Sequence, residues 1–74
     1  MGEWMIQSDS GEFDEAFIDA VRDIGSIDEL YSMTDGDIDD AAETIVGTAH
    51  FLSNIPTDRS VVEQAIDFLL NNGF

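Results

Sequence analysis

The sequence predicts an all-α fold. It reads as a small single-domain bundle of four helices, at about 11–24, 26–33, 37–53 and 58–72, with a short N-terminal arm or strand. Three observations predict it. Apolar residues recur at helical spacing in four stretches. Stop and start signals separate those stretches at Gly25-Ser26, at Thr34-Asp35-Gly36-Asp37 and at Asn54-Ile55-Pro56-Thr57. A chain of 74 residues, 43% hydrophobic and without cysteine, allows one small core held by packing and capping alone.

In residues 1–9, Trp4 and Ile6 alternate with Glu3, Met5 and Gln7, as in a short strand or extended arm. Trp4 is expected to lie as a lid on the helical core, with a dimer or partner contact as the alternative. The first helix is expected to begin at Asp9 or Ser10, with Glu12 in capping-box position after Asp9. Phe13, Phe17, Ala20, Val21 and Ile24 form its apolar face, and Gly25 suits its C′ position. Glu12, Glu15, Asp19 and Asp23 form a second stripe, about 135° around the helix.

Ser26 opens a second short helix through a capping box that closes on Glu29, with Ile27, Leu30 and Tyr31 at helical spacing. Thr34 or Asp35 is the expected cap of the third helix. Its inner face is read as Ile38, Ala42, Ile45, Ala49 and Leu52. Asp39, Asp40 and Glu43 point outward near its start, where the helix dipole favours anions. Phe51 falls at about 220° from Ile38, off the apolar face. Pro56 ends the helix by disfavouring α geometry at Ile55.

The fourth helix begins after Thr57 or Ser60, and Ser60 with Glu63 makes another capping box. Val61, Val62, Ala65, Ile66, Phe68, Leu69 and Leu70 cover more than half its circumference, which predicts the most buried helix. Gly73 suits the C′ position, and Phe74 the hydrophobic contact that follows it.

The charge is the anomaly. Seventeen Asp and Glu stand against two Arg and no Lys, a formal net charge of −15. Roughly 2–8 charges keep a small domain soluble. The excess argues against direct binding to nucleic acid or to an anionic membrane, and it predicts a basic partner. The apolar runs are too short to span a bilayer. The N-terminus lacks a basic, apolar leader, so the expected location is the cytosol.

Motifs for chemistry are weak. Gly36 and Ile38 fit two positions of a calcium loop, but Tyr31, Met33 and Ala42 then fall where oxygen ligands belong. His50 is the only histidine and has no Glu-x-x-His partner. No nucleophile elbow is present. The chain therefore reads as a non-enzyme with no cofactor and no metal. The Asp9-Ser10-Gly11 run has Gly11 where the Asp-Ser-Leu motif of acyl carrier proteins needs Leu. The last helix resembles that of ubiquitin-associated modules, but Gly25-Ser26 lacks their flanking apolar pair.

What remains is distributed acid. Glu12 to Asp23 spans about 16 Å, with a charge about every 5 Å, against one per 3.4 Å along a DNA strand. Asp28, Glu29, Asp35, Asp37, Asp39, Asp40 and Glu43 extend the stripe toward a two-dimensional field. In size, charge and helical make-up the chain resembles the DNA-mimic inhibitors of phages and mobile elements, of anti-CRISPR and anti-restriction type. That resemblance implies host-defence evasion in a host-cell cytoplasm. The acidic face, as monomer or homodimer, would occupy the basic DNA- or RNA-binding surface of a host nuclease complex. Tyr31 and Phe51 would be aromatic anchors. Two alternatives stand beside it. One is an acidic adaptor that binds a basic protein without mimicry. The other is a halophile's cytosolic protein, which the excess of Asp over Glu and the absence of Lys would fit.

Overall fold

The computed structural model describes the backbone of residues 2–74 and the side chains of residues 13–74. Four helices follow one another: α1 (Gly2–Ile24), α2 (Ile27–Met33), α3 (Ile38–Ser53) and α4 (Arg59–Asn71). No strand occurs among the described residues.

The N-terminal arm is a correction. Residues 2–10 continue α1 upstream, so Asp9, Ser10 and Gly11 lie within a helix and not at its start. Glycine costs a helix interior about 1 kcal/mol, whereas adding turns to an existing helix avoids the unfavourable nucleation step. The lid expected of Trp4 falls outside the described side chains.

At the other end of α1, Gly25 takes φ +134° and its N–H donates to the Val21 carbonyl at 2.9 Å. Ser26 then caps α2, its Oγ accepting from the Glu29 N–H at 3.0 Å. A Cβ on Gly25 would come within 2.6 Å of the Glu29 carboxylate, so the Glu29 side chain folds back over the glycine.

The cap of α3 is Asp37, not Thr34 or Asp35. Its carboxylate accepts from the N–H groups of Asp39 at 3.0 Å and Asp40 at 3.4 Å. The two expected caps are otherwise occupied. Thr34 closes α2, its hydroxyl donating to the Leu30 carbonyl at 2.8 Å. Asp35 sits at φ +56°, whereas a cap needs extended backbone. At the far end of α3, Asn54 turns left-handed at φ +57°, and its N–H donates to the His50 carbonyl at 2.8 Å.

Residues 54–58 then run back along α3. Thr57 comes beside Glu43 and Gly47, and Arg59 reaches Asp39. Helix α4 starts at Arg59 behind Asp58, whose side chain makes no capping bond. Ser60 lies inside the helix, and Glu63 faces Arg59 instead of closing a capping box. The C-terminus closes as expected. Gly73 has φ +93°, and the Phe74 N–H donates to the Leu69 carbonyl at 2.9 Å. This is the six-to-one bond of a Schellman motif. It folds the Phe74 ring against Tyr31, with centroids 5.0 Å apart.

The central helix is α3, not α4. It packs against both α1 and α4 and buries Ala41, Ala42, Ile45, Val46 and Ala49. From α1 come Ala16, Phe17 and Ala20, from α2 Leu30, and from α4 Val61, Val62, Ala65 and Leu69. Phe17 meets Phe68 at 5.7 Å and Phe13 at 6.2 Å. A domain this small has too little interior for the whole apolar arc of α4. Ile66 and Phe68 are half-buried and Leu70 is 61% exposed. Leu52, expected on the inner face of α3, is also exposed, because the helix outruns the core there.

Replacing Asp37 tests the capping assignment. Asp37→Ala is expected to destabilise the fold by about 1 kcal/mol relative to Asp37→Asn, which removes the same charge but still caps. In thermal unfolding, that difference corresponds to a midpoint gap of about 4–8 °C.

Candidate acidic interface

All fourteen Asp and Glu side chains among residues 13–74 are exposed, and no charged or polar residue described is buried. Water solvates each carboxylate, and the core carries none of their desolvation cost.

The helices divide these carboxylates into separate zones. On α1, Glu15, Asp19 and Asp23 are exposed as the spacing predicts, while the side chain of Glu12 lies outside the described set. The stripe is interrupted, because Arg22 reaches across one turn to Asp19 at 3.3 Å. Asp19, Arg22 and Asp23 share a shallow open groove with Leu52 and Ser53, which places this stretch of α1 beside the C-terminal end of α3.

The second zone lies at the opposite end of α3. Asp37 spends its carboxylate on capping. Asp39 faces Arg59 at 3.6 Å, and Arg59 also approaches Glu63 at 3.9 Å. Asp40 is exposed, and its carbonyl accepts from the Thr44 hydroxyl at 2.9 Å. Glu43 borders a groove with Val46, Gly47, Thr57 and Val62. From Asp40 to Ser53 the helix rises by about 20 Å, more than twice the Debye length of about 8 Å at physiological salt. Asp40 and the Asp19–Asp23 groove therefore lie far enough apart along the helix for salt to screen them largely from one another.

Asp28 and Glu29 occupy the first turn of α2, and Asp35 sits in the turn that follows it. Asp14 and Asp67, which the stripe pattern passes over, line a third groove over Phe17 and Phe68. Asp14 is off the α1 stripe and Asp67 is isolated on an apolar helix, so neither stands out in sequence. Asp58 and Glu63 were likewise hidden behind the expected capping pattern of α4.

The two candidate anchors differ. Phe51 is 85% exposed, whereas Tyr31 is 50% exposed and packs on Phe74. His50 lies on the surface, and its Nδ1 is 2.7 Å from the Ile55 carbonyl. A carbonyl only accepts, so Nδ1 carries the proton and ties α3 to the segment after it. Among the described residues, no three His, Asp or Glu side chains converge as metal ligands, and no helix is long and apolar enough to cross a membrane.

Crowding of like charge makes the fold salt-sensitive. The thermal midpoint is expected to rise between about 10 mM and about 150 mM salt, as the Debye length shortens from about 30 Å to about 8 Å. Far-UV circular dichroism at the lower salt should already show the helical fold. A chain that became helical only near ~2 M KCl, far beyond that screening range, would instead fit the halophile alternative.

Comparison of the chain with protein-family models, with curated proteins and with solved structures finds no match.

Proposed function

We propose that this chain is a non-enzymatic inhibitor that acts by occupancy. Its carboxylates stand in for phosphates on the basic DNA- or RNA-binding surface of a host defence complex, as in anti-CRISPR or anti-restriction inhibitors. The observation that carries this reading is the full exposure of the described carboxylates in a chain of net charge −15. Both arginines already face carboxylates of their own chain, so they do little to oppose a cationic partner.

The reading assigns roles by place. Glu15, Asp19 and Asp23 supply charge from α1, and Asp39, Asp40 and Glu43 supply it from the start of α3. Charge-assisted hydrogen bonds to Arg and Lys replace those made by phosphate. Complementary charge also speeds encounter and discourages acidic partners. Asp37 contributes less, because its carboxylate is committed to two backbone N–H groups. Phe51 is the better anchor of the two aromatics, since Tyr31 already has an aromatic neighbour.

The test is binding to a basic nucleic-acid-binding complex recovered from a host lysate. Affinity is expected to fall at least a hundredfold between about 50 mM and about 500 mM salt, and duplex DNA or RNA should compete. Neutralising Asp19, Asp23, Asp39 and Asp40 to Asn, singly and together, should give graded losses. Salt-independent binding overturns the electrostatic mechanism. Salt-dependent binding without nucleic-acid competition identifies an adaptor instead.

A further inference from the structure

The outer face of α3 carries an arrangement that a diffuse field of charge does not require. Asp40, Glu43, Gly47 and Phe51 fall within an arc about 80° wide, roughly opposite the buried face of the helix. All four are exposed. A Cβ placed on Gly47 would meet nothing within 4 Å among the described residues. Gly47 is also absent from the glycines with positive φ. Among the described residues, neither crowding nor backbone geometry calls for glycine there, although glycine is second only to proline in its cost to a helix interior. One turn further along stands Phe51, the most exposed large apolar side chain described. One turn back stands Glu43, with Asp40 just beyond it.

We propose that this face is the docking site for a basic amphipathic helix of the partner. The inference rests on the reading of the chain as a binder of basic surfaces. The partner helix crosses α3 at Gly47, where the missing side chain lets two helix backbones approach closely. Interaxial distances of about 8–10 Å depend on the side chains at the crossing. An apolar side chain of the partner covers Phe51. Its Lys or Arg residues reach Glu43 and Asp40, about 12–16 Å along the axis from Phe51. Charge selects this occupant over a second copy of the chain, which would set one net charge of −15 against another. It also selects against a purely apolar segment, which would leave Glu43 and Asp40 without partners.

The test uses two synthetic peptides of equal positive charge. One is an amphipathic Leu/Lys helix of about 18 residues, long enough to form helix readily; the other is oligolysine. The amphipathic peptide is expected to bind about tenfold more tightly, with amide shift changes centred on Glu43, Gly47 and Phe51. Phe51→Ala and Gly47→Gln should each weaken it about tenfold and leave oligolysine binding unchanged. Gly47→Gln favours the helix, so its loss of binding cannot be a folding defect. Leu70→Ala, at an exposed apolar position on α4, should change nothing. Equal binding by wild type, Phe51→Ala and Gly47→Gln, or shift changes centred elsewhere, overturns the docking face but leaves the electrostatic reading intact. Failure of both peptides to bind at low salt overturns the reading on which the face depends.

Discussion

Mutual repulsion among carboxylates is the constraint that the rest of this fold depends on. A net charge of −15 on 74 residues opposes any compact state. The chain meets it by keeping every described carboxylate in water, and the interior described is built of apolar side chains alone. Among the described residues, no buried ion pair helps to hold the core. The ion pairs described lie on the surface, where each contributes about 0–1 kcal/mol. Cohesion therefore falls to packing and to helix ends.

Packing is organised by α3. Its buried face is three alanines with one isoleucine and one valine, so α1 and α4 can lie close on either side. Phe17, Leu30 and Leu69 fill the remaining volume from the surrounding helices. The opposite side of the same helix turns Asp40, Gly47 and Phe51 to solvent. Core economy and surface display are two sides of one helix.

The sequence disclosed more of this structure where one signal acted alone. The Ser26 cap was legible because no other residue competed to cap α2, although the Glu29 carboxylate lies over Gly25 and makes no return bond to the Ser26 N–H. The closure by Gly73 and Phe74 was legible for the same reason. In the Thr34–Asp37 turn, several residues were chemically able to cap α3. The choice was made by backbone geometry, since Asp35 is left-handed and Thr34 had already closed the preceding helix. The helix over residues 2–10 was hidden by Ser10-Gly11, whose local preference was weaker than the continuity of the hydrogen-bond ladder. The wide apolar arc of α4 suggested deep burial, yet Leu70 shows that apolar width says nothing about how many neighbours exist to cover it. For the candidate interface, exposure of the carboxylates was legible from helical phase. Their division into zones was not, because it depends on how the helices are set side by side.

That setting has a further consequence. The return of residues 54–58 along α3 brings the first turn of α4 beside the first turn of α3, where Arg59 meets Asp39. Each helix start carries roughly half a positive charge, and each helix end roughly half a negative one. Two positive ends and an arginine thus moderate the carboxylates around Asp39. The stretch of α1 bearing Asp19 and Asp23 lies beside the negative end of α3, with Arg22 as the nearby cation. The molecule is polarised lengthwise beyond what its formal charges state. The helix dipoles thereby offset part of the repulsion where Asp37, Asp39, Asp40 and Glu43 crowd together, and a single helix start can hold all four.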